Sequence, residues 1–121
     1  MNSFNKKFKI NNKFIGNDSP TYFIADIASN HDRKLERAKK LISLAKNAGA
    51  DAVKFQHFNA DTLVSDIEFS KLKLKTHQSK WKDSVYNIYK KNELLFEWTA
   101  ELEKFSRKKK LIFSQLHTQK I

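Results

Sequence analysis

Between Tyr22 and Phe58 the spacing of apolar residues changes twice. Tyr22-Phe23-Ile24-Ala25 is a short continuous apolar run that ends at Asp26, and such a run has the length of a buried parallel strand. Leu35, Ala38, Leu41, Ile42 and Ala45 then recur on one helical face, with lysines and arginines on the other. The spacing predicts a helix over 32–48, with Asp32 as its cap and Gly49, just past Asn47, suited to the left-handed C′ position. From Ala52 to Phe58 the period becomes two, placing Val53, Phe55 and His57 on one face and Lys54 and Gln56 on the other. The result is a β-α-β unit with strands near 22–27 and 52–58, expected to be parallel and joined by a right-handed crossover.

The flanks extend this pattern. Residues 8–15 alternate around Asn11-Asn12 and predict a small hairpin, because Asn tolerates the positive φ of a tight turn. Gly16 to Pro20 reads as a loop. No period emerges over 59–76, which predicts a long loop over a site or an interface. Trp81, Val85, Ile88 and Tyr89 fit a short helix, and Leu95, Trp98, Leu102 and Phe105 a longer one, both aromatic sets being packing residues. A third strand is predicted at 111–115, parallel and adjacent to the others. The fold class is α/β in a single domain. Three strands do not close an eight-stranded barrel, so the third strand should expose an edge and favour self-association.

Charge narrows the classes of partner. The chain has 24 basic and 13 acidic residues, a formal charge of +11, with lysines concentrated over 6–13, 71–82 and 104–110. Such a surface favours anions, and a polyanion binder is one reading of it. No zinc-finger spacing, Gly-rich phosphate loop or RNP-like aromatic motif accompanies the lysines, so specific nucleic-acid recognition is not expected. The absence of cysteine excludes disulfides and thiolate metal sites. Without a signal-like apolar stretch or a membrane-length run, a soluble cytoplasmic chain is expected.

Candidate chemistry follows from the strand period. Ligands of α/β folds bind at the carboxyl ends of the strands. A lysine directed into an α/β core is costly unless paired, so the Lys54/Gln56 face should open onto solvent, a counter-charge or an anionic ligand. Asp26 either accepts nearby backbone N–H groups or converges with Lys54 and Gln56.

The segments Phe23-Ile-Ala-Asp-Ile-Ala-Ser-Asn-His31 and Ala48-Gly-Ala-Asp-Ala-Val-Lys-Phe-Gln56 resemble the N-acetylneuraminate (sialic acid) synthase family, over roughly residues 14–113. The resemblance implies the N-terminal part, about three strands, of a (β/α)8 TIM-type barrel, here spanning 1–121 with an N-terminal β-hairpin. It also implies a transferase that condenses phosphoenolpyruvate with an N-acyl amino sugar such as N-acetylmannosamine, forming a nonulosonic acid and phosphate. Asp26 stands where the family commonly has Glu and is the candidate catalytic residue, while Lys54, Gln56 and Asn30 are candidate substrate-binding residues. His31 is read as ordering its loop and is not assigned to metal. Full-length members use a divalent metal, manganese or magnesium, whose ligands lie on later strands, and a small antifreeze-like domain that helps hold the sugar.

Two departures accompany the resemblance. Arg33 occupies a position where the family usually has Gly, which implies a reshaped loop. After Phe113-Ser114 the family's Ser/Thr-Pro continuation is replaced by Gln115-Leu116-His117-Thr118-Gln119-Lys120-Ile121, as in a frameshift, a premature stop or a short paralogue. The isolated chain is therefore also read as a truncated remnant that is inactive by itself.

Overall fold

The computed structural model of the protein describes residues 7–71 and 80–118. Strands β1 (Lys7–Ile10) and β2 (Lys13–Gly16) form an antiparallel hairpin, with Asn11 at a φ of 53° in its turn. Strands β3 (Ile24–Ala28), β4 (Ala52–Phe58) and β5 (Ile112–Thr118) form a parallel sheet in the order β3-β4-β5. Helix α1 (Leu35–Asn47) connects β3 to β4, and the return to β5 runs through α2 (Ala60–Leu63), α3 (Asp66–Lys71), α4 (Val85–Asn92), a 3₁₀ turn (Phe96–Trp98) and α5 (Thr99–Lys108). This is the architecture of the first strands of a (β/α)8 barrel.

The alternation of β4 sorts the two faces of the sheet. Val53 and Phe55 are fully buried and His57 nearly so, while Lys54 and Gln56 are partly exposed on the opposite face. α1 contributes Ala38, Ile42 and Ala45 to the buried side and α5 contributes Leu102. Phe55 stacks on Phe113 at 5.6 Å between ring centroids, which carries the core onto β5. A parallel strand covered by helices on one face must bury apolar groups there, and β4 does so at every second position.

Asp51 ties the hairpin to the sheet. Its carboxylate accepts the Phe23 backbone N–H at 2.8 Å and pairs with the Lys13 ammonium. The Lys13 hydrogen bond first, and then that from Phe23 N–H, hold the Asp51 carboxyl below its ordinary value. Asp51 N–H in turn donates to Phe23 O at 2.8 Å. Phe23 O also accepts the Ala52 N–H at 3.2 Å, and ladder pairing begins one residue later, at Ile24 opposite Ala52.

Several boundaries differ from the sequence expectation. The first strand is Ile24–Ala28 and the third Ile112–Thr118, against 22–27 and 111–115. Asp32 does not cap α1: its φ is +48°, the cap position falls on Lys34, and no side chain caps there. The expected loop over 59–76 contains α2, capped by Asn59 accepting from Asp61 N–H at 2.9 Å, and α3; residues 72–76 lie outside the described set. These helices of four and six residues are too short to show a period of 3.6. α4 is capped by Ser84, which accepts from Asn87 N–H at 3.1 Å. Leu95 precedes the 3₁₀ turn that opens the last helical segment.

Gly49 has a φ of +88° at the end of α1, and a Cβ built there meets no atom within 4 Å. Its requirement is therefore backbone conformation rather than space. Gly49→Ala is expected to lower unfolding free energy by about 1 kcal/mol in chemical denaturation, through left-handed backbone strain alone. An unchanged midpoint would show that the residue relaxes out of this conformation.

Candidate functional site

The face of the sheet opposite Val53 and Phe55 carries the candidate residues. Asp26 and Lys54 are partners in the β3-β4 register, and the Lys54 Nζ lies 2.7 Å from Asp26 Oδ2. Both side chains are substantially exposed, 53% for Asp26 and 36% for Lys54, so the pair contributes only about 0–1 kcal/mol. Such a weak pair lets an incoming phosphate or carboxylate compete with Asp26 for the ammonium. Ser114 extends the same row onto β5. The two residues stand in the middle of their strands; Gln56, two positions further along β4, lies nearer the carboxyl end.

Just past Asp26 the register slips. Asp26 pairs with Lys54 but Ala28 pairs with Phe55, leaving Ile27 as an extra residue that turns into the core, 6% exposed. Ala28 takes a φ of +50°, and the chain swings away from the sheet. Such a bulge ends pairing and re-aims the following residues. Asn30 then braces the turn: its backbone N–H and its side-chain Nδ2 both donate to Ile27 O, at 3.1 and 3.0 Å.

His31 to Lys34 form a tight turn closed by Lys34 N–H donating to His31 O at 2.9 Å. Its two central residues, Asp32 and Arg33, have φ of +48° and +52°, as a type I′ turn requires. His31 is fully buried, and its Nδ1 accepts the Arg33 N–H at 3.0 Å, so this imidazole orders the loop. Trp98 packs against it in a T-shaped contact, 6.2 Å between ring centroids. Arg37 fastens the turn from α1, donating to Asn30 O at 2.9 Å and pairing with Asp32 at 2.9 Å.

A cavity of about 380 Å³ opens beside this loop, lined by Ser29, Asn30, Gln56, Leu63, Tyr89 and Asn92 among others. Gln56 and Asn30 thus share one concavity, whereas Asp26 and Lys54 form a separate pair on the sheet. The Ser29 hydroxyl is buried without a hydrogen-bond partner among the described residues. Sequence reasoning missed Ser29, Tyr89 and Asn92, because the last two come from a helix about thirty residues downstream of Gln56 and only tertiary packing brings them here. Among the described residues no three His, Cys, Asp or Glu side chains are placed to hold a metal ion. The described residues therefore do not themselves fit the divalent-metal centre that the resemblance implies.

Comparison with known proteins places the chain. The sequence profile of the NeuB family matches residues 41–116. The chain is 39% identical over 107 residues to the spore coat polysaccharide biosynthesis protein SpsE of Bacillus subtilis, covering 88% of this chain and 27% of that protein. It superposes on the crystal structure of SpsE with a TM-score of 0.61 at 37% identity, over 90% of this chain and 27% of that one. It is 34% identical over 92 residues to pseudaminic acid synthase of Campylobacter jejuni, covering 73% of this chain and 26% of the synthase. The N-acetylneuraminic acid synthetase of Leptospira borgpetersenii shares the fold, with a TM-score of 0.70 at 24% identity over 93% of this chain and 34% of that one.

The protein belongs to the NeuB family of sialic and related nonulosonic acid synthases. It spans about a quarter of the length of the curated relatives it matches. No helix among the described residues is long and apolar enough to cross a membrane.

Two predictions follow from the turn and its histidine. Arg33→Gly is expected to raise stability by about 0.5–1 kcal/mol, since glycine relieves the left-handed strain but costs more chain entropy; denaturant unfolding checks this, and a loss of stability would contradict it. Burial pushes the His31 imidazole below its ordinary value of 6.5, against a smaller opposing pull from Asp32. Burial does the same for His57, aided by His117 and then His31. A histidine held neutral in the fold binds fewer protons than in the unfolded chain, so its contribution is complete above about 6.5 and is lost as pH falls below that value. Thermal unfolding from about pH 7 to about pH 5 should show the midpoint dropping, and His57→Phe should flatten the slope. A midpoint that rises toward acid would contradict this sign.

Proposed function

We propose that this chain carries one wall of a phosphoenolpyruvate-dependent synthase site, and that these 121 residues by themselves do not complete the reaction. The observation that supports it best is the Lys54–Asp26 pair, 2.7 Å apart on the face of the parallel sheet opposite the buried Val53 and Phe55. In this reading Lys54 receives the phosphate or carboxylate of phosphoenolpyruvate as a point charge. Gln56 adds directed hydrogen bonds from the adjoining cavity, and Asn30 shapes the rim through its bonds to Ile27. Asp26 stands beside the reacting carbon, where its negative charge favours a developing oxocarbenium-like centre.

The reaction class follows from the family. The alkene carbon of phosphoenolpyruvate attacks the aldehyde of an N-acyl amino sugar, water adds to the resulting cationic carbon, and phosphate leaves. The relatives include a pseudaminic acid synthase and a sialic acid synthetase, so a nine-carbon acidic sugar is the proposed product class. Catalysis of this kind needs every group held in register. The described residues supply three strands of an eight-stranded design and no metal-binding cluster, which supports inactivity of the chain alone.

Nuclear magnetic resonance with added phosphoenolpyruvate tests the wall directly. Amide shifts are expected at Lys54 and Gln56, and Lys54→Met should weaken binding about tenfold or more, the loss of one charge-assisted contact. A parallel assay with manganese and N-acetylmannosamine should release no phosphate. Shifts confined to Lys46 and Lys110, at the other end of the sheet, would refute the assignment of the wall, and substrate-dependent phosphate release by a monomer would refute the inactivity.

A further inference from the structure

Helices α1 and α5 end in the same way. After α1 the Gly49 N–H donates to Lys46 O and the Ala50 N–H to Ala45 O, both at 3.0 Å. After α5 the Lys110 N–H donates to Arg107 O at 2.9 Å and the Leu111 N–H to Ser106 O at 3.0 Å. Each pair of bonds closes a helix whose next residue is left-handed. That residue is Gly49 after α1, with a φ of +88°, and Lys110 after α5, with a φ of +58°. Glycine takes this conformation freely, whereas lysine carries the steric cost of its Cβ. The helix dipole does not account for a lysine there, because Arg107 and Lys108 already stand in the last turn of α5. A strained backbone of this kind points to a task for the side chain it holds.

Lys110 lines a cavity of about 170 Å³ at the N-terminal end of the sheet, which it shares with Lys13, Lys46, Tyr22, Asp51 and the hairpin turn Asn11-Asn12. The cavity lies beneath the central strand β4, bounded by the hairpin and by the ends of α1 and α5, and is not a strand edge. Its charge is unbalanced. Three lysines face one carboxylate among the described lining residues, and Asp51 is already committed to the Lys13 ammonium and the Phe23 N–H. Among the described residues no carboxylate forms an ion pair with Lys46 or Lys110. Nor are their ammoniums needed as caps, since the carbonyls of Leu44, Ala45 and Lys46, and of Phe105, Ser106 and Arg107, already accept backbone N–H groups. The Tyr22 hydroxyl is buried with no hydrogen-bond partner among the described residues, so one donor beside the cavity lacks an acceptor.

We propose that this cavity binds a tetrahedral oxyanion, inorganic phosphate or the phosphoryl group of a small metabolite, between the ammoniums of Lys46 and Lys110. The two lysines balance its charge, the side-chain amides of Asn11 and Asn12 supply neutral donors, and the Tyr22 hydroxyl gains an acceptor. Size agrees with this ligand class. One water takes about 30 Å³ of liquid, so the space suits an ion of a few heavy atoms, while drug-sized ligands need about 300 Å³ or more. The site stands at the opposite end of the sheet from Gln56, and the proposal does not depend on the synthase reading.

Titration of the 121-residue chain with inorganic phosphate, followed through its amide resonances with chloride holding the ionic strength constant, tests the site. Saturable shifts are expected at Asn12, Lys46 and Lys110, in the millimolar range of dissociation constants. Lys46→Met and Lys110→Gly should each weaken phosphate about tenfold or more, by loss of one charge-assisted contact. Lys110→Gly should also raise the denaturation midpoint, since glycine relieves the left-handed strain, so its loss of binding is not a loss of fold. Phosphoenolpyruvate should move these amides in addition to those of Lys54 and Gln56, and Lys54→Met should abolish only the second set, which separates this site from the proposed synthase wall. Tighter binding of inorganic phosphate than of phosphoenolpyruvate at Lys110 assigns the site to the free ion, the reverse to a phosphorylated metabolite, and both support it. Shifts that chloride alone reproduces, or phosphate binding unchanged in Lys46→Met and Lys110→Gly, overturn the site. A lowered midpoint for Lys110→Gly overturns the strained placement on which it rests.

Discussion

The structure depends on β4 being the central strand of a sheet whose two faces receive alternate side chains. Because side chains alternate along a strand, burying Val53, Phe55 and His57 against α1 and α5 obliges Lys54 and Gln56 to face the other way. A shift of one residue in register would push Lys54 into the core at a cost no described contact repays, so hydrophobic burial and the position of the candidate charges are one constraint. Phe55 carries much of this burden, fully buried and stacked on Phe113. Truncating such a residue typically costs about 3–5 kcal/mol, a large share of a small domain's stability.

The loop after β3 applies a second level of control. The bulge at Ile27 ends pairing immediately beyond Asp26, and the turn that follows is held by Asn30, the buried His31 and Arg37. None of these contacts requires a ligand. The loop is built in advance, and the cavity bounded by Ser29, Asn30 and Gln56 is formed by folding. The chain belongs to the NeuB family and spans about a quarter of the length of the curated relatives it matches. The wall proposed above does not amount to a working site, since the proposed chemistry needs groups that the described residues do not place.

Where the sequence was legible, a repeating physical pattern made it so. The period of two in β4 and the helical period of α1 predicted both elements, and Gly49 marked the end of α1 by its conformational freedom. The convergence of Asp26 with Lys54 followed from the strand pattern and the family likeness together. Legibility failed where several backbone arrangements suit the same residues. Asp32 has the chemistry of a helix cap, yet the His31 turn captures it in a left-handed conformation and the helix starts later. The bulge at Ile27 has no compositional mark, and α2 and α3 are too short to be periodic. Asn92 and Tyr89 reach the cavity only through packing of α4, which local sequence does not encode.

The face assignment of β4 is the claim on which the account turns, and cysteine scanning across it is the most direct measurement. The chain lacks native cysteine, so single variants Val53→Cys, Lys54→Cys, Phe55→Cys and Gln56→Cys can each be timed against a thiol reagent under native conditions. The account predicts reactivity that alternates with period two, fast at 54 and 56 and slow at 53 and 55, with phosphoenolpyruvate slowing the reaction at 56. Fast reaction at 53 and 55 with protection at 54 and 56, or uniform reactivity along the strand in a folded protein, would contradict it.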